Sequence, residues 1–257
     1  MNPMNKESVE LRKKGRIAAI AFNVDAVKKR DSLHAAGRFA DFCSEIASDP
    51  KIQVVVITGA DENLCDLTVP ENYPDPQKDA ISISSIVESA ASLEVPVIIG
   101  LHGFIAGQAL ELALACDIRI ATAESQFAFP QISMGLIPFE GATQRLPRIV
   151  GAAKALEMIL TGEKIDAQAA YQIGLVNRIV KPDELSAAIT TMAQKMSEAS
   201  VVSLRYAKEA ITKGMELTLE QGLRLEADLY FLMHTTKDRK EGIKAFREKR
   251  KPQFKGI

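Results

Sequence analysis

The sequence predicts an α/β fold built around a parallel β-sheet. Residues 54–58 and 95–101 are continuous apolar runs of the kind found in strands buried on both faces. Residues 118–121 repeat this pattern after a helical stretch that contains Glu111. Because strands and helices alternate at this spacing, we expect parallel pairing through right-handed crossovers and a ligand site at the carboxyl ends of the strands.

Length and composition are those of an ordinary globular protein. The 257 residues are 47% apolar and 25% charged, which suits one substantial core or one core with a small appendage. With 32 basic and 33 acidic residues the net charge is −1, so the chain has no overall attraction for nucleic acid or an anionic membrane. An anionic ligand would need a local basic cluster.

Targeting signals and metal-ligand patterns are not evident in the sequence. Residues 1–7 lack the apolar core of a signal peptide, and no run approaches the roughly 20 apolar residues of a membrane span. The three cysteines (Cys43, Cys65 and Cys116) show neither paired nor metal-ligand spacing, and the three histidines are equally scattered. We therefore expect a cytoplasmic protein without a metal ion.

The N-terminal part of the chain predicts a hairpin and then a helix. Residues 9–11 and 17–22 are strand candidates on either side of a polar turn. Residues 25–31 form a charged loop in which Lys28 is followed by two further basic residues, and this loop is either solvated or an anion-binding patch. Residues 32–48 carry apolar side chains at helical spacing, which predicts a helix.

The remainder of the chain becomes progressively more helical. Residues 61–78 contain three prolines and predict a long loop. Phe246 and Phe254 could anchor the charged tail, residues 237–257, which otherwise resembles a solvated end. Strands are expected at residues 126–129 and 175–180, and helices at residues 80–93, 152–160, 166–173, 182–199, 201–215 and 218–234.

The segment around Glu111 is the most informative about chemistry. Its helix is apolar on nearly every side apart from Gln108 and Glu111, so we expect it to be buried. A buried carboxylate costs several kcal/mol unless it is paired, hydrogen-bonded or neutral, so Glu111 is either a satisfied structural acid or a working one. The glycine-containing turn before the helix aims backbone N–H groups at a ligand, and an oxygen that becomes negative during a reaction is stabilised there.

Six motifs distributed along the chain point to one family. They are VPVIIGLHG at residues 95–103, ELALACD at 111–117, AFPQISMGLIP at 128–138, GATQRL at 141–146, TGE at 161–163 and DRKEGIKAFREKR at 238–250. Together they resemble the crotonase (enoyl-CoA hydratase/isomerase) superfamily over nearly the full length of the chain.

The resemblance implies both an architecture and a substrate class. The expected fold is a crotonase-like spiral of ββα turns over residues 1–195, followed by a C-terminal helical trimerisation region over residues 196–257. The expected ligand is an acyl-CoA thioester, with no cofactor because coenzyme A is part of the substrate. The resemblance also implies a homotrimer or a dimer of trimers, with no nucleic-acid or membrane partner.

Site residues carried over from the family begin with Glu111, which matches the first catalytic glutamate of the hydratases. Two backbone N–H groups are expected to hold the thioester oxygen, one from Gln108 and one from Cys65. Gly107 precedes Gln108 in a position where hydratases usually have a run of three glycines. Asp66 follows Cys65 in a shortened loop, and Asp66, Gly107, Phe139 and Lys28 are the expected substrate-binding residues.

The second hydratase glutamate is replaced here by Gln131, which is the largest departure from the family pattern. A glutamine amide holds a water molecule or a substrate oxygen but does not exchange a proton near neutral pH. Glu140, nine residues later, either supplies the missing carboxylate from another direction or is an ordinary solvated loop residue. Gln131 is either a space-filling remnant or a group that holds water beside Glu111.

Three functions remain open from the sequence. The first is an enoyl-CoA hydratase, for which Gln108 and Phe139 in place of glycines suggest an unusual substrate such as a cyclic dienoyl-CoA from aromatic-ring degradation. The second is an enoyl-CoA or dienoyl-CoA double-bond isomerase, in which one carboxylate moves a proton and no water enters. The third is a CoA-ester-binding protein without catalytic activity.

Overall fold

A computed structural model of the protein describes residues 8–23, 32–59 and 86–257. Three of the residues expected at the site, Lys28, Cys65 and Asp66, lie outside these ranges, as do the predicted loops at 25–31 and 61–78. Within the described ranges, no helix is both long and apolar enough to cross a membrane.

A six-stranded sheet forms the centre of the fold, and the two strands of the predicted hairpin lie at one edge of it. Its strand order is β1-β2-β3-β4-β6-β9. The β1–β2 pair is antiparallel and every later pair is parallel, which confirms the predicted parallel sheet. The strands are β1 (Val9–Lys14), β2 (Ile17–Phe22), β3 (Val54–Gly59), β4 (Val97–Leu101), β6 (Ile118–Thr122) and β9 (Arg178–Val180).

A second, smaller sheet turns the α/β pattern into a spiral. It has the order β5-β7-β8 and consists of β5 (Phe104–Ala106), β7 (Gln126–Ala128) and β8 (Ile165–Asp166). The chain passes from β4 in the large sheet to β5 in the small one, then through a helix back to β6 in the large sheet, and β7 follows in the small one. This confirms the expected succession of ββα turns.

Helices cover the sheets and make up most of the C-terminal third. Seven of them, α1, α2, α5, α6, α7, α8 and α9, coincide closely with predicted segments over the residues described. The helices are α1 (Ser32–Ser48), α2 (Ile86–Ala91), α3 (Gln108–Ala115), α4 (Ala142–Val150), α5 (Ala152–Thr161), α6 (Ala167–Gln172), α7 (Leu185–Ser197), α8 (Val201–Gly214), α9 (Leu219–Met233) and α10 (Lys237–Arg247).

The large sheet separates two apolar clusters. The principal core includes side chains of α1, α2 and α3 together with one face of the strands. On the other face α7 places Leu185, Ile189 and Ala193 against the sheet, and burial of the larger two stabilises the fold by about 1.5–3 kcal/mol each. A Cβ at Gly100 of β4 would collide with Ile189 Cδ1, so a larger residue there would force the end of the Ile189 side chain to move. The division expected between residues 195 and 196 falls in the last turn of α7.

The helix α4 and the strands β5 and β8 were not predicted from the sequence. The helix α4 contains Pro147, which argues against an interior helical position because proline has no N–H to donate. The strands β5 and β8 have three and two residues, too few for an alternating pattern to be distinguished.

The C-terminal tail packs against the body of the protein instead of extending into solvent. The carboxylate of Asp238, at the start of α10, accepts hydrogen bonds from the backbone N–H groups of Lys255 and Gly256. Arg16 Nη2 donates to the carbonyl of Phe254 at 2.8 Å. Phe254 is half-buried with its ring beside Gly242 and docks as expected, whereas Phe246 is 85% exposed and does not.

Candidate active site

The turn at Gly107 sets the direction of the buried helix α3. Ala106 at the end of β5 pairs with Ala128 of β7, and Gly107 N–H donates to the Ala128 carbonyl. Gly107 has φ 55° and ψ −127°, a conformation that side chains other than glycine's strongly disfavour. Gln108 then begins α3, and as a first-turn residue its N–H has no acceptor within the helix. The predicted N–H donor and the positive end of the helix dipole therefore lie together at this turn.

Glu111 lies on the first turn of α3 with 1% of its surface exposed. Its Oε1 accepts hydrogen bonds from the backbone N–H groups of Glu140 at 2.8 Å and Ala142 at 3.1 Å. Burial, which disfavours the charged carboxylate, raises the pKa of Glu111 to about 7. The nearby Glu140 carboxylate also raises this pKa, whereas the two N–H groups and the Arg145 guanidinium lower it. The acid is thus poised to exchange protons near neutral pH.

Glu140 is buried in the loop before α4, with 8% of its surface exposed. Its Oε1 accepts a hydrogen bond from Gln108 Nε2 at 2.9 Å, and its backbone carbonyl accepts one from Arg145 Nη1 at 2.9 Å. The alternative that Glu140 is a solvated loop residue is therefore wrong. The reason is that the α3 helix start and the α4 helix both supply polar partners that hold the residue inward, which no pattern in the loop sequence indicates.

Gln131 lies in a short 3-10 helix, Pro130–Met134, directly after β7, and it is only 2% exposed. Its Nε2 would lie 3.4 Å from a Cβ at Gly107, so the amide faces the turn that precedes Gln108. Its Oε1 has no hydrogen-bond partner among the residues the structure describes. Burying an amide oxygen without a hydrogen-bond partner lowers the stability of the fold by about 1–3 kcal/mol. A ligand that donates a hydrogen bond to this oxygen would remove that penalty.

One buried and one partly buried charge cluster hold the far end of α3 in place. The Arg119 guanidinium donates to the carbonyls of Ala113 at 3.3 Å, Cys116 at 2.6 Å and Leu175 at 2.6 Å, so it satisfies carbonyls at the helix C-terminus. Asp117 accepts from Val97 N–H and from Lys208 Nζ, both at 2.7 Å. Asp117 thus has a structural role, and α3 is fixed at both ends.

The structure brings five of the nine sequence-predicted site residues together. Gly107, Gln108, Glu111, Gln131 and Glu140 occupy one region between the start of α3 and the loop before α4. Phe139 is 55% exposed. Among the described residues, no group of His, Cys, Asp or Glu side chains is arranged to hold a metal ion.

Comparison with known proteins gives the family. The sequence matches the family described as enoyl-CoA hydratase/isomerase over residues 28–257. The chain belongs to this family. The resemblance predicted from the six motifs is thereby confirmed, together with the crotonase-like α/β fold.

Enoyl-CoA hydratase/isomerase relatives align over nearly the whole length of the chain. A crotonyl-CoA hydratase from Syntrophomonas wolfei is 30% identical over 257 residues, which cover 98% of this chain and 99% of the relative. A short-chain-enoyl-CoA hydratase from Clostridium acetobutylicum is 32% identical, with 96% and 97% covered. The crystal structure of enoyl-CoA hydratase from Bacillus anthracis has a TM-score of 0.89 and 32% identity, with 98% of this chain and 100% of that chain covered.

Two polar groups in the site of this family member had no role assigned from sequence. One is the side chain of Gln108, for which only the backbone N–H was considered. The other is Arg145, which crosses the turn at Gly141, where a Cβ would collide with its Nη1. The spacing of Gly141 and Arg145 could have predicted this contact. Arg145 lies one helical turn after Gly141, so its side chain can reach back to the loop before α4.

Proposed function

We propose that this protein is a hydro-lyase of the enoyl-CoA hydratase type, which reversibly adds water to an unsaturated acyl-CoA thioester. The observation that carries the proposal is Glu111, a buried carboxyl with a pKa of about 7 on the first turn of the helix whose N-terminus presents the Gln108 N–H. An acid–base group beside a site for a developing oxyanion is what this reaction needs. The names of the aligned relatives also support it.

The reaction begins with proton removal from water. Ionised Glu111 accepts a proton from a water molecule, and the water oxygen forms a bond to the carbon β to the thioester carbonyl, or to a vinylogous carbon in a dienoyl group. The π electrons move toward the thioester oxygen, which becomes enolate-like. The N–H groups of Gln108 and Cys65 hold that oxygen, and one such donor can be worth about 3 kcal/mol.

Protonation of carbon completes the addition. The α-carbon, or the far carbon of a dienolate, receives a proton and the thioester carbonyl forms again, so that one molecule of water is added and nothing else changes. We assign this proton transfer to Glu111 or Glu140. Glu140 is favoured as the second carboxyl because it is buried and because its backbone N–H contacts Glu111.

Gln131 has a different part in this proposal. Since its amide does not exchange protons near neutral pH, it replaces the second hydratase glutamate as a group that orients water or a substrate oxygen. Its buried position beside Gly107 and the unpartnered Oε1 among the described residues support this assignment.

The substrate we propose is an unsaturated acyl group other than a plain straight-chain enoyl chain, and a cyclic dienoyl-CoA is the specific candidate. Gln108 and Phe139 stand where relatives often have small residues, and the second carboxyl comes from the loop before α4. Lys28, Asp66 and Gly107 remain the proposed contacts to the CoA ester. No cofactor takes part in the proposed steps.

A double-bond isomerase is the second candidate, favoured by the glutamine at position 131. In that reaction a carboxyl such as Glu111 removes a proton from one carbon and a proton returns to another, without addition of water. A binding protein without turnover is the third possibility.

Heavy-oxygen water separates these functions. The purified protein is incubated in H₂¹⁸O with a panel of straight-chain, branched and cyclic unsaturated acyl-CoAs, and the products are analysed by mass spectrometry. We expect ¹⁸O in a hydroxyacyl product, with a cyclic dienoyl-CoA among the best substrates. A product with a shifted double bond and no ¹⁸O would indicate the isomerase instead of the hydratase. If none of the acyl-CoAs is converted, only the binding function remains.

We also propose a homotrimer or dimer of trimers in the cytoplasm. Apolar side chains on the C-terminal helices are exposed in the single chain and support the oligomer, because large exposed apolar patches are typical of interfaces. They are Ile211, Met215, Leu219, Leu223, Tyr230 and Phe231. Sedimentation analysis of the purified protein tests this proposal, and a monomer would contradict it.

A further inference from the structure

Gln108 presents two donors in the same site. It is the first residue of α3, so its backbone N–H lies at the helix start, while its half-buried side chain extends to the loop before α4. There Nε2 donates to Oε1 of Glu140 at 2.9 Å. A hydrogen bond from an amide to a carboxylate is charge-assisted and is stronger than one between two neutral groups.

Three atoms of Glu140, its Oε1, its backbone carbonyl oxygen and its backbone nitrogen, form hydrogen bonds in the site. Its side chain accepts from Gln108, its carbonyl accepts from Arg145 Nη1, and its N–H donates to Oε1 of Glu111. Ala142 N–H donates to the same Oε1 of Glu111. The position of this loop therefore decides both where the Glu140 carboxyl lies and how well two N–H groups hold the Glu111 carboxyl.

Two residues of this loop face outward in the part of the chain that the structure describes. Ile137 and Phe139 are 65% and 55% exposed, while Pro138 between them and Glu140 after them are buried. The contacts that draw the loop inward come from α3 through Gln108 and Glu111 and from α4 through Arg145. Of these contacts, the one from the Gln108 side chain belongs to the residue whose backbone N–H is the proposed oxyanion donor.

We propose that the Gln108 side chain is a positioning residue, which fixes the Glu140 loop relative to the helix start and thereby aligns both carboxyls with the thioester oxygen. This inference rests on the proposed function. It implies that the glutamine at this position compensates for a second carboxyl that comes from a loop. Loss of the donor should release the loop, weaken the N–H contacts to Glu111 and misplace the proton-transfer groups without removing any of them.

A pH measurement distinguishes positioning from simple space filling. The two backbone N–H groups lower the pKa of Glu111, and the other described ionisable groups that act on it are Glu140 and Arg145. If the loop loosens, both these N–H contacts and the opposing effect of the Glu140 carboxylate weaken. Because the Ala142 N–H alone acts more strongly on this pKa than the Glu140 charge does, the pKa of Glu111 should rise further above its ordinary value. A side chain that only fills space would leave this pKa where it is.

Gln108→Met is the decisive variant, because methionine keeps the length and flexibility of glutamine but has no donor. With an acyl-CoA that the wild-type protein hydrates, we expect kcat to fall by about tenfold or more and KM to change by less than about threefold. The acid limb of the pH profile should move to higher pH. Gln144→Met is the matched control, since Gln144 is exposed on α4 and, among the described residues, its side chain forms a hydrogen bond only with the adjacent Thr143.

Gln108→Glu tests the donor itself. A protonated glutamic acid has nearly the shape of glutamine and donates to Glu140, whereas the ionised form repels it. We therefore expect activity near that of the wild type only at low pH, with a decline as the pH rises and residue 108 ionises. Equal losses for Gln108→Met and Gln108→Glu at every pH would contradict the role of the donor.

The same variants can be tested without turnover. Carboxyl ¹³C NMR of glutamate-labelled protein gives the pKa of Glu111, with its signal assigned by loss in Glu111→Gln. We expect a higher pKa in Gln108→Met than in Gln144→Met. An unchanged pKa and an unchanged kcat would overturn the positioning role alone, while a raised pKa in a protein that hydrates no acyl-CoA would retain it and overturn the proposed hydratase.

Discussion

The backbone N–H of Glu140 donates a hydrogen bond of 2.8 Å to Oε1 of Glu111. The two acidic residues are thus joined through the main chain of one and the side chain of the other, so neither moves independently. Burial of Glu111 raises its pKa to about 7, and the carboxyl of Glu140 adds to the effect. The site therefore contains an acid–base group that is matched to neutral pH and anchored to the loop that supplies a second carboxyl.

The pH dependence of hydration should follow Glu111. Because the ionised form accepts a proton from water in the proposed mechanism, kcat/KM should fall about tenfold per pH unit below about pH 7 and level off above it. Initial rates of hydration over a range of buffers of constant ionic strength measure this profile. If kcat/KM instead falls only near pH 4.5, the ordinary pKa of a glutamate, then burial does not raise the pKa of the group that accepts the proton.

Replacing Glu140 tests the second carboxyl. Glu140→Gln removes the proton-transfer group but keeps the backbone N–H that contacts Glu111, and we expect kcat to fall on the order of 10²-fold or more. Steady-state kinetics measure kcat for Glu140→Gln and for the control Glu124→Gln. The control changes an exposed glutamate between β6 and β7. A loss of less than about twofold would return Glu140 to a purely structural role.

Replacing Gln131 should lower the activity of the protein without lowering its stability. Gln131→Met removes a buried amide whose oxygen has no partner among the described residues, so the free energy of unfolding should stay unchanged or rise by about 1 kcal/mol. If the amide orients water, kcat should nevertheless fall by about tenfold or more. Denaturant unfolding and kinetics on the same preparation measure both, and full activity in a destabilised variant would contradict the proposed role.

Gly107 should be required for its backbone conformation. An alanine at φ 55° and ψ −127° costs about 1–3 kcal/mol and places a Cβ 3.4 Å from Gln131 Nε2, directly before the Gln108 donor. We expect Gly107→Ala to lower both the melting temperature and kcat. Gly135→Ala is the control, because Gly135 also has a positive φ of 73° but no atom lies within 4 Å of its Cβ position. Equal kcat values for Gly107→Ala and Gly135→Ala would show that the conformation of the Gly107 turn is not needed for catalysis.

The repeated strand and helix pattern was predictable from the sequence because buried strands leave a strong signal. The apolar run in β3 and the stripe in α1 are long enough to reveal their type. In contrast, β8 has two residues and its conformation depends on pairing with β7. The helix α4 tolerates Pro147 because tertiary contacts outweigh its local preference.

The site was predictable only in part, for a related reason. Glu111 was recognisable because a carboxylate in an apolar helix needs an explanation, and its burial agrees with that expectation. The inward orientation of Glu140 was not, since it depends on Gln108 and Arg145, which reach it from two different helices. Contacts between side chains far apart in sequence leave no local pattern.

The central claim, that Glu111 is the proton-transfer group of a hydratase, is tested most directly with Glu111→Gln. The glutamine Oε1 can still accept from the N–H groups of Glu140 and Ala142, so the variant should remain folded. We expect hydration to fall by about 10²–10⁴-fold while the Kd for a non-reactive CoA ester, measured by calorimetry, stays within about threefold of the wild-type value. Hydration within about twofold of the wild-type rate, with binding intact, would contradict the claim.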